Sequence, residues 1–284
     1  MAVELLIRDG SPGWWESLDI WVVPGTDPGG ARGTPVVGMP AYLWATVRND
    51  GDLDASQVQV DFWVADPSLQ IRKSTANHIG TAFADIAAGS AQDVLCLVPW
   101  QVTLLNGGHE CVVVEASSPA DPLSPPPADP DVLDPPDYRQ VAQRNLSVLT
   151  LNGMFRSEFI ITVGAGARAD KAAVIEFVEG DEVPAELLGS LGLKGRRHVG
   201  AERISAGLSE RSLCGQEGAA GDRALRLTVP RGTSAAAYLG VAAREPLAPE
   251  EYAVIRVVER DQEQIIGGLS VVIVQADNRK DGAR

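Results

Sequence analysis

Cysteine is scarce in this chain of 284 residues: Cys96, Cys111 and Cys214 are an odd number, spread over both halves. A disulfide framework rests on paired cysteines in an oxidising compartment, so none is expected. Lysine is scarce as well, found only at 73, 171, 194 and 280. Arginine takes the other basic positions, and with abundant Ala, Gly and Val this is the bias of a GC-rich bacterial genome. Basic charge is short overall, since 24 Lys and Arg against 38 Asp and Glu leave a net charge of -14. That argues against a nucleic-acid binder, which needs a basic face to displace phosphate counterions. No run approaches the ~20 apolar residues of a membrane span. No N-terminal segment joins a basic start, an apolar run and a small-residue cleavage site; the stretch 1–7 is too short, and Arg8-Asp9 follows it. The expectation is a soluble protein without membrane insertion or signal peptide, cytoplasmic at synthesis, with non-classical export left open.

What is present is enough apolar material for a core. Hydrophobic residues make up 45%, and a chain of this length buries roughly 65–75% of its surface, in one large or two ordinary domains. The two halves differ: residues 1–150 hold 19 acids and 7 bases, whereas 151–284 hold 19 and 17. All six tryptophans (Trp14, Trp15, Trp21, Trp44, Trp63, Trp100) lie in the first half.

The recurring pattern has period two, the mark of half-buried strands. Val58, Val60, Phe62 and Val64 alternate with polar residues and Trp63; Leu43, Ala45 and Val47 alternate with Tyr42, Trp44, Thr46 and Arg48. Between them Asn49-Asp50-Gly51-Asp52 predicts a tight connection. Further strands are expected at 3–7, 18–23, 79–84, 93–98 and 110–116, and a last one at 141–151. From 118 to 138 the pattern stops, and eight of the 19 prolines fall among Asp121, Asp129, Asp131, Asp134 and Asp137. We read this as a loop inside the first domain, because a sandwich ending at Ala116 lacks its last strand. The second half has strands at 155–163, 172–178, 224–229, 235–243, 252–259 and 265–274. A short helix is expected at 185–191, with Pro184 at an early helical position, and an irregular glycine-rich stretch at 195–221. The predicted fold is all-β: two tandem immunoglobulin-like antiparallel β-sandwiches, 1–151 and 152–284, the second with an insertion at 181–222.

The segment VRNDGDLDASQVQVDFWVADP, Val47 to Pro67, resembles the strand-turn-strand signature of bacterial cell-adhesion-related (CARDB-type) immunoglobulin-like domains. That signature is a hydrophobic strand, Asn-x-Gly, a small residue such as Ala55, and alternating valines ending in an aromatic. Ile79 to Trp100 is similar to the central strands of the same module. Leu225 to Val274, with Pro230-Arg231-Gly232, Pro249 before Tyr252, and Gly267-Gly268, resembles alpha-galactosidase-associated or transglutaminase-type immunoglobulin-like repeats. The resemblance implies adhesion, spacing or protein docking, in modules that usually accompany a catalytic or anchoring domain.

Few constellations carry chemistry. Cys96, His109 and Cys111 are a zinc ligand set if neighbouring strands bring them together, and otherwise two small core residues and a strand end. Asp50, Asp52 and Asp54 alternate around Gly51 like part of a calcium loop, but without the sixth-position Gly or the later Glu of an EF-hand; a solvated turn is the alternative. Lys194, Arg196, Arg197, His198 and Arg203 form the basic cluster, as a docking patch for an acidic surface or as a solvated loop. No Gly-x-Ser-x-Gly elbow and no strand-borne phosphate loop are present. Trp14 and Trp15 are adjacent, so one should bury while the other faces outward. The favoured reading is that Trp14 and Trp15 close the end of the sandwich while Trp44 and Trp63 pair across strands on its outer face, with exposed binding aromatics as the alternative. If Trp44 and Trp63 share that face, the patch needs covering by a partner or by the N-terminal segment.

The expected function is therefore a non-catalytic structural or protein-binding module of a bacterial assembly or surface complex, with no cofactor and with a protein partner or a second copy. Carbohydrate binding through Trp14, Trp15, Trp44 and Trp63 is the alternative from another class, and a metal enzyme at Cys96, His109 and Cys111 a third. Stoichiometric zinc, a glycan-induced change of tryptophan fluorescence, and co-purification of a partner separate the three.

Overall fold

The computed structural model describes residues 1–10, 13–65, 71–103, 111–151, 157–165, 169–212 and 221–276. Two compact units result: Met1–Asn145 with Ser190–Gly192, and Leu146–Gly189 with Leu193–Arg284. Both are built almost wholly of strands.

Unit 1 contains β1 (Leu5–Leu6), β2 (Ile20–Pro24), β3 (Pro40–Asn49), β4 (Ala55–Ala65), β5 (Ile71–Arg72), β6 (Asn77–Ile86), β7 (Ser90–Leu95), β8 (Trp100–Gln101), β9 (Cys111–Ser117), β10 (Val132–Leu133) and β11 (Val141–Arg144). β3 is the middle of the first sheet. Its residues 44–49 pair β7 and 40–41 pair β8, while 41–45 pair β2 and 48–49 pair β1. A strand has only two edges, so β1 and β2 share one and β7 and β8 the other. The second sheet runs β11-β9-β4-β6, all antiparallel. The alternation read from the sequence sets the faces: Leu43, Ala45, Val47, Val58, Val60, Phe62 and Val64 point into one core with Val112, Val114 and Ala116. Truncating Phe62, which is fully buried, should cost about 3–5 kcal/mol.

The β3–β4 connection is organised by Asn49, itself buried. Its amide donates to Leu53 O at 2.8 Å and Ile86 O at 3.2 Å, and its carbonyl accepts from the N–H groups of Glu4 and Gly51, each at 3.2 Å. Residue 51 has to be glycine, because a Cβ there would stand 2.2 Å from Ala2 O.

Outside the core lies a second apolar cluster of Trp63, Ala65, Ile71, Cys111, Val113, Leu133, Tyr138 and Val141. The proline- and aspartate-rich segment covers this outer face of the second sheet. Within it β10 pairs β5, Arg72 Nη1 contacts Asp129 at 3.0 Å and Asp131 at 3.3 Å, and Tyr138 donates to Pro125 O at 2.9 Å. At the segment's start Asp121 accepts from Leu5 N at 2.7 Å and pairs with Arg139 at 2.8 Å.

Unit 2 contains β12 (Leu146–Leu151), β13 (Ser157–Gly164), β14 (Lys171–Glu179), α1 (Ala185–Ser190), β15 (Arg197–His198), β16 (Ile204–Ser209), β17 (Ala224–Val229), β18 (Ser234–Ala243), β19 (Glu251–Asp261) and β20 (Gln264–Gln275). One sheet runs β12-β20-β19-β14-β17 with β15 added to β19; the other runs β13-β18-β16. The β19–β20 hairpin turns at Gln262 and Glu263, with Gln262 at φ 55°.

Three expectations are corrected. The single strand foreseen at 141–151 is two, β11 and β12, divided between the units at Asn145. The stretch 195–221 is not irregular throughout, since it supplies β15, a 3₁₀ turn at Ala201–Arg203 and β16. The pairing is not wholly antiparallel, because β12 runs parallel to β20 and β15 parallel to β19.

Candidate functional site

The tryptophans do not form one exposed platform. Trp14 is half-buried and Trp15 buried, in edge-to-face contact at 5.4 Å between ring centroids. Trp44 and Trp63 do not share a face, because β3 and β4 lie in different sheets. Trp44 instead stacks on Trp21 at 5.8 Å with the rings 8° apart. The β2–β3 loop folds back over this pair: Trp44 Nε1 donates to Pro28 O at 3.1 Å, Gly33 N to Val22 O at 3.0 Å, and the Arg32 guanidinium lies 3.9 Å from the centre of the Trp21 ring. Trp63 is buried against His78, with ring centres 5.3 Å apart, and the Lys73 ammonium also stands 5.3 Å from its ring. Each outer face is thus covered by a loop of its own unit, where the sequence had called for a partner or the N-terminal segment.

The metal candidates are not assembled. Cys96 packs in the inter-sheet core and Cys111 in the outer cluster, on opposite faces of the second sheet. Burial pushes both thiols up, Cys111 well above its ordinary value, against weaker opposing hydrogen bonds from the Val98 backbone and Gln143 respectively. His109 and Cys214 lie outside the described residues. The turn carboxylates serve the backbone: Asp52 accepts from Ala2 N at 2.6 Å and Asp54 from Ala88 N at 2.9 Å, while Asp50 is exposed. Among the described residues no group of three or more His, Cys, Asp or Glu is placed to hold a metal ion.

Of the basic cluster, Lys194 is exposed, His198 packs on Tyr252 at 5.3 Å between ring centres, and the three arginines are engaged within unit 2. Arg197 Nη2 meets Glu251 Oε1 at 2.5 Å, Arg203 Nη2 lies 3.9 Å from Oε2, and Arg196 Nη1 donates to the Glu251 carbonyl at 3.4 Å. Glu251 is buried and also accepts from Ala248 N at 3.0 Å. A buried carboxylate is stable only with such partners, so these arginines hold a loop together before they can meet another molecule. On β4 and β6, Asp61 Oδ1 receives both Thr81 and His78, the latter at 3.0 Å, and Oδ2 receives Gln59 at 2.7 Å. The carboxylate is shared between hydroxyl and imidazole, not relayed through the imidazole as in a hydrolase triad.

Among the described residues, several large apolar side chains are exposed, and five of them come from two segments of unit 1. Val36 (54% exposed), Val37 (39%), Met39 (46%), Leu97 (78%) and Val98 (50%) come from two segments about sixty residues apart. They are brought together by Gly38 N to Val102 O at 2.9 Å, Val102 N to Met39 O at 3.2 Å, and the β3–β8 pairing. Val98 also packs against the bare Cα of Gly80, where a Cβ would stand 3.1 Å from Val98 Cγ2. The sequence concealed this exposure, because 93–98 reads as one buried strand.

The sheets define the class: an all-β protein of the β-sandwich kind, in two compact units. No family model and no curated protein matches the chain. Among solved structures, a red sea bream transglutaminase is 10% identical over 91% of this chain and 31% of its own, with a TM-score of 0.22. A point mutant of CfaE, the CFA/I adhesin of enterotoxigenic Escherichia coli, is 9% identical over 98% of this chain and 94% of its own, with a TM-score of 0.26. The chain spans about a third of the transglutaminase's length. Among the described residues no helix is long and apolar enough to cross a membrane.

Proposed function

We propose that this chain is a non-catalytic protein-binding module of the cell-adhesion-related type, docking through the apolar end of unit 1. The observation that carries this reading is the gathering of five of the nine large apolar side chains exposed among the described residues at that one end. Unit 1 also supplies the charge argument: 19 acids against 7 bases in residues 1–145 repel a second copy and attract a basic partner, which sets association rate and salt dependence. The occupant is thus a basic protein presenting an apolar knob. Affinity purification from the native host tests it. Wild-type chain should retain one basic protein, released by salt, and Leu97→Ser with Val36→Ser, which leaves the charge unchanged, should lose it while keeping the wild-type melting temperature. Strictly monomeric chain that retains nothing overturns the proposal.

One observation favours a second reading, carbohydrate binding. Phe83 is 61% exposed on β6 and lies opposite Gln59 in register, beside the Asp61 network. Glycan titration with Phe83→Ala as control tests it: a fluorescence change lost in that variant moves the function to this face.

A further inference from the structure

Unit 2 contains a cavity of about 350 Å³, at the small end of the range for ligand pockets. Its origin is topological. β17 pairs β14 only from Lys171 to Glu176, so the end of β14 extends beyond its neighbour, and β16 is the outer strand of the facing sheet. The floor is apolar, made by Phe177 of β14, Ile255 of β19, and Ile204 and Ala206 of β16.

The mouth carries both signs of charge. Glu179, Glu202 and Arg244 line the same cavity. Arg244 is oriented by two bonds, its backbone N–H to Arg203 O at 2.8 Å and its Nε to Ile204 O at 3.2 Å, neither of which uses the terminal guanidinium nitrogens. Glu202 lies over Gly200, where a Cβ would meet its Oε2 at 1.9 Å. Elsewhere in this unit opposite charges meet one another: Arg197 with Glu251, Lys171 with Glu259, Arg260 with Glu176. Among the described residues Glu179, Glu202 and Arg244 form no ion pair.

We propose that this cavity binds a small zwitterion with an apolar body, an apolar α-amino acid such as leucine or phenylalanine. Its carboxylate meets Arg244, its ammonium meets Glu202 and Glu179, and its side chain occupies the floor. Size, apolarity and the two charges are each needed, because an apolar acid leaves the carboxylates facing it and an apolar amine leaves Arg244 unmatched.

Amide chemical-shift titration of the full chain tests this. L-leucine should give saturable shifts at Phe177, Ile204, Ala206 and Ile255 with a Kd on the order of 0.1–1 mM. 4-Methylpentanoate, isoamylamine and N-acetyl-leucinamide, lacking one or both charges, should each bind about tenfold more weakly, the scale of one charge-assisted hydrogen bond. Arg244→Gln should weaken leucine to a similar degree, and Gly200→Ala, which displaces only the end of Glu202, should weaken it less. No saturable shift up to about 10 mM, or any analogue matching leucine, overturns the proposal.

Discussion

In Asp19 two effects oppose each other. Burial raises its pKa, while hydrogen bonds from the Arg8 side chain and backbone and from Arg48 outweigh burial, and the carboxyl ends below its ordinary value. The geometry is close, with Arg8 Nη2 at 2.6 Å, Arg8 N at 3.0 Å and Arg48 Nε at 3.3 Å. A depressed folded pKa means the unfolded chain binds the proton more readily. The stabilisation is therefore complete above the unfolded value of about 3.9 and is lost as pH falls through the folded one. Asp19→Asn should cost about 2–3 kcal/mol in urea denaturation at pH 7, and wild type and variant should converge toward pH 2.5, well below about 3.9. The thiols behave in the opposite sense. Burial keeps Cys96 and Cys111 protonated, so in a Cys214→Ser background neither should react with Ellman's reagent at pH 8 until the chain is denatured.

Among the elements, the proline- and aspartate-rich segment has the most definite task. It lacks the regular pattern of a strand, yet β10, Leu133 and Tyr138 put its few apolar side chains over Trp63. Arg72→Ala removes the contacts to Asp129 and Asp131 and should cost about 1 kcal/mol. Two readouts follow: red-shifted emission as Trp63 meets water, and faster proteolytic cleavage between 118 and 138. Unchanged emission would show that the segment holds without that pair. The long strands were legible because period two needs only local information, as in Leu43 to Val47 and Val58 to Val64. β5 and β10 were not, since two-residue strands exist only through each other, sixty positions apart. Glu251 was invisible as the partner of Arg196, Arg197 and Arg203 for the same reason. No glycine or proline marks the break at Asn145 within 141–151, so the stretch read as one strand. Of the candidate sites, the sequence grouped Trp44 with Trp63, which β3 and β4 carry in different sheets, and it showed neither the loops that cover them nor the exposed Leu97.

For the whole molecule, charge and chromophore are both concentrated in unit 1. Nineteen acids against seven bases repel one another in the folded state, and salt screens that repulsion. Raising NaCl from about 0.01 to 0.5 M should raise the melting temperature seen by tryptophan emission, which reports unit 1 alone. The transition of unit 2, with 19 acids and 17 bases in residues 146–284 and followed by its amide resonances, should move less. A melting temperature of unit 1 that falls with salt would mean that its ion pairs, Asp19 with Arg8 among them, outweigh the repulsion. The stacked Trp21–Trp44 pair adds an optical consequence. Two indoles stacked at 5.8 Å lie close enough to couple their transition dipoles, and with those dipoles skewed within the near-parallel planes circular dichroism should carry an exciton signal that vanishes in Trp21→Phe or Trp44→Phe and survives any change confined to unit 2. Because Trp21 and Trp44 are register partners, that signal would follow the pairing of β2 with β3 in real time, with no label attached.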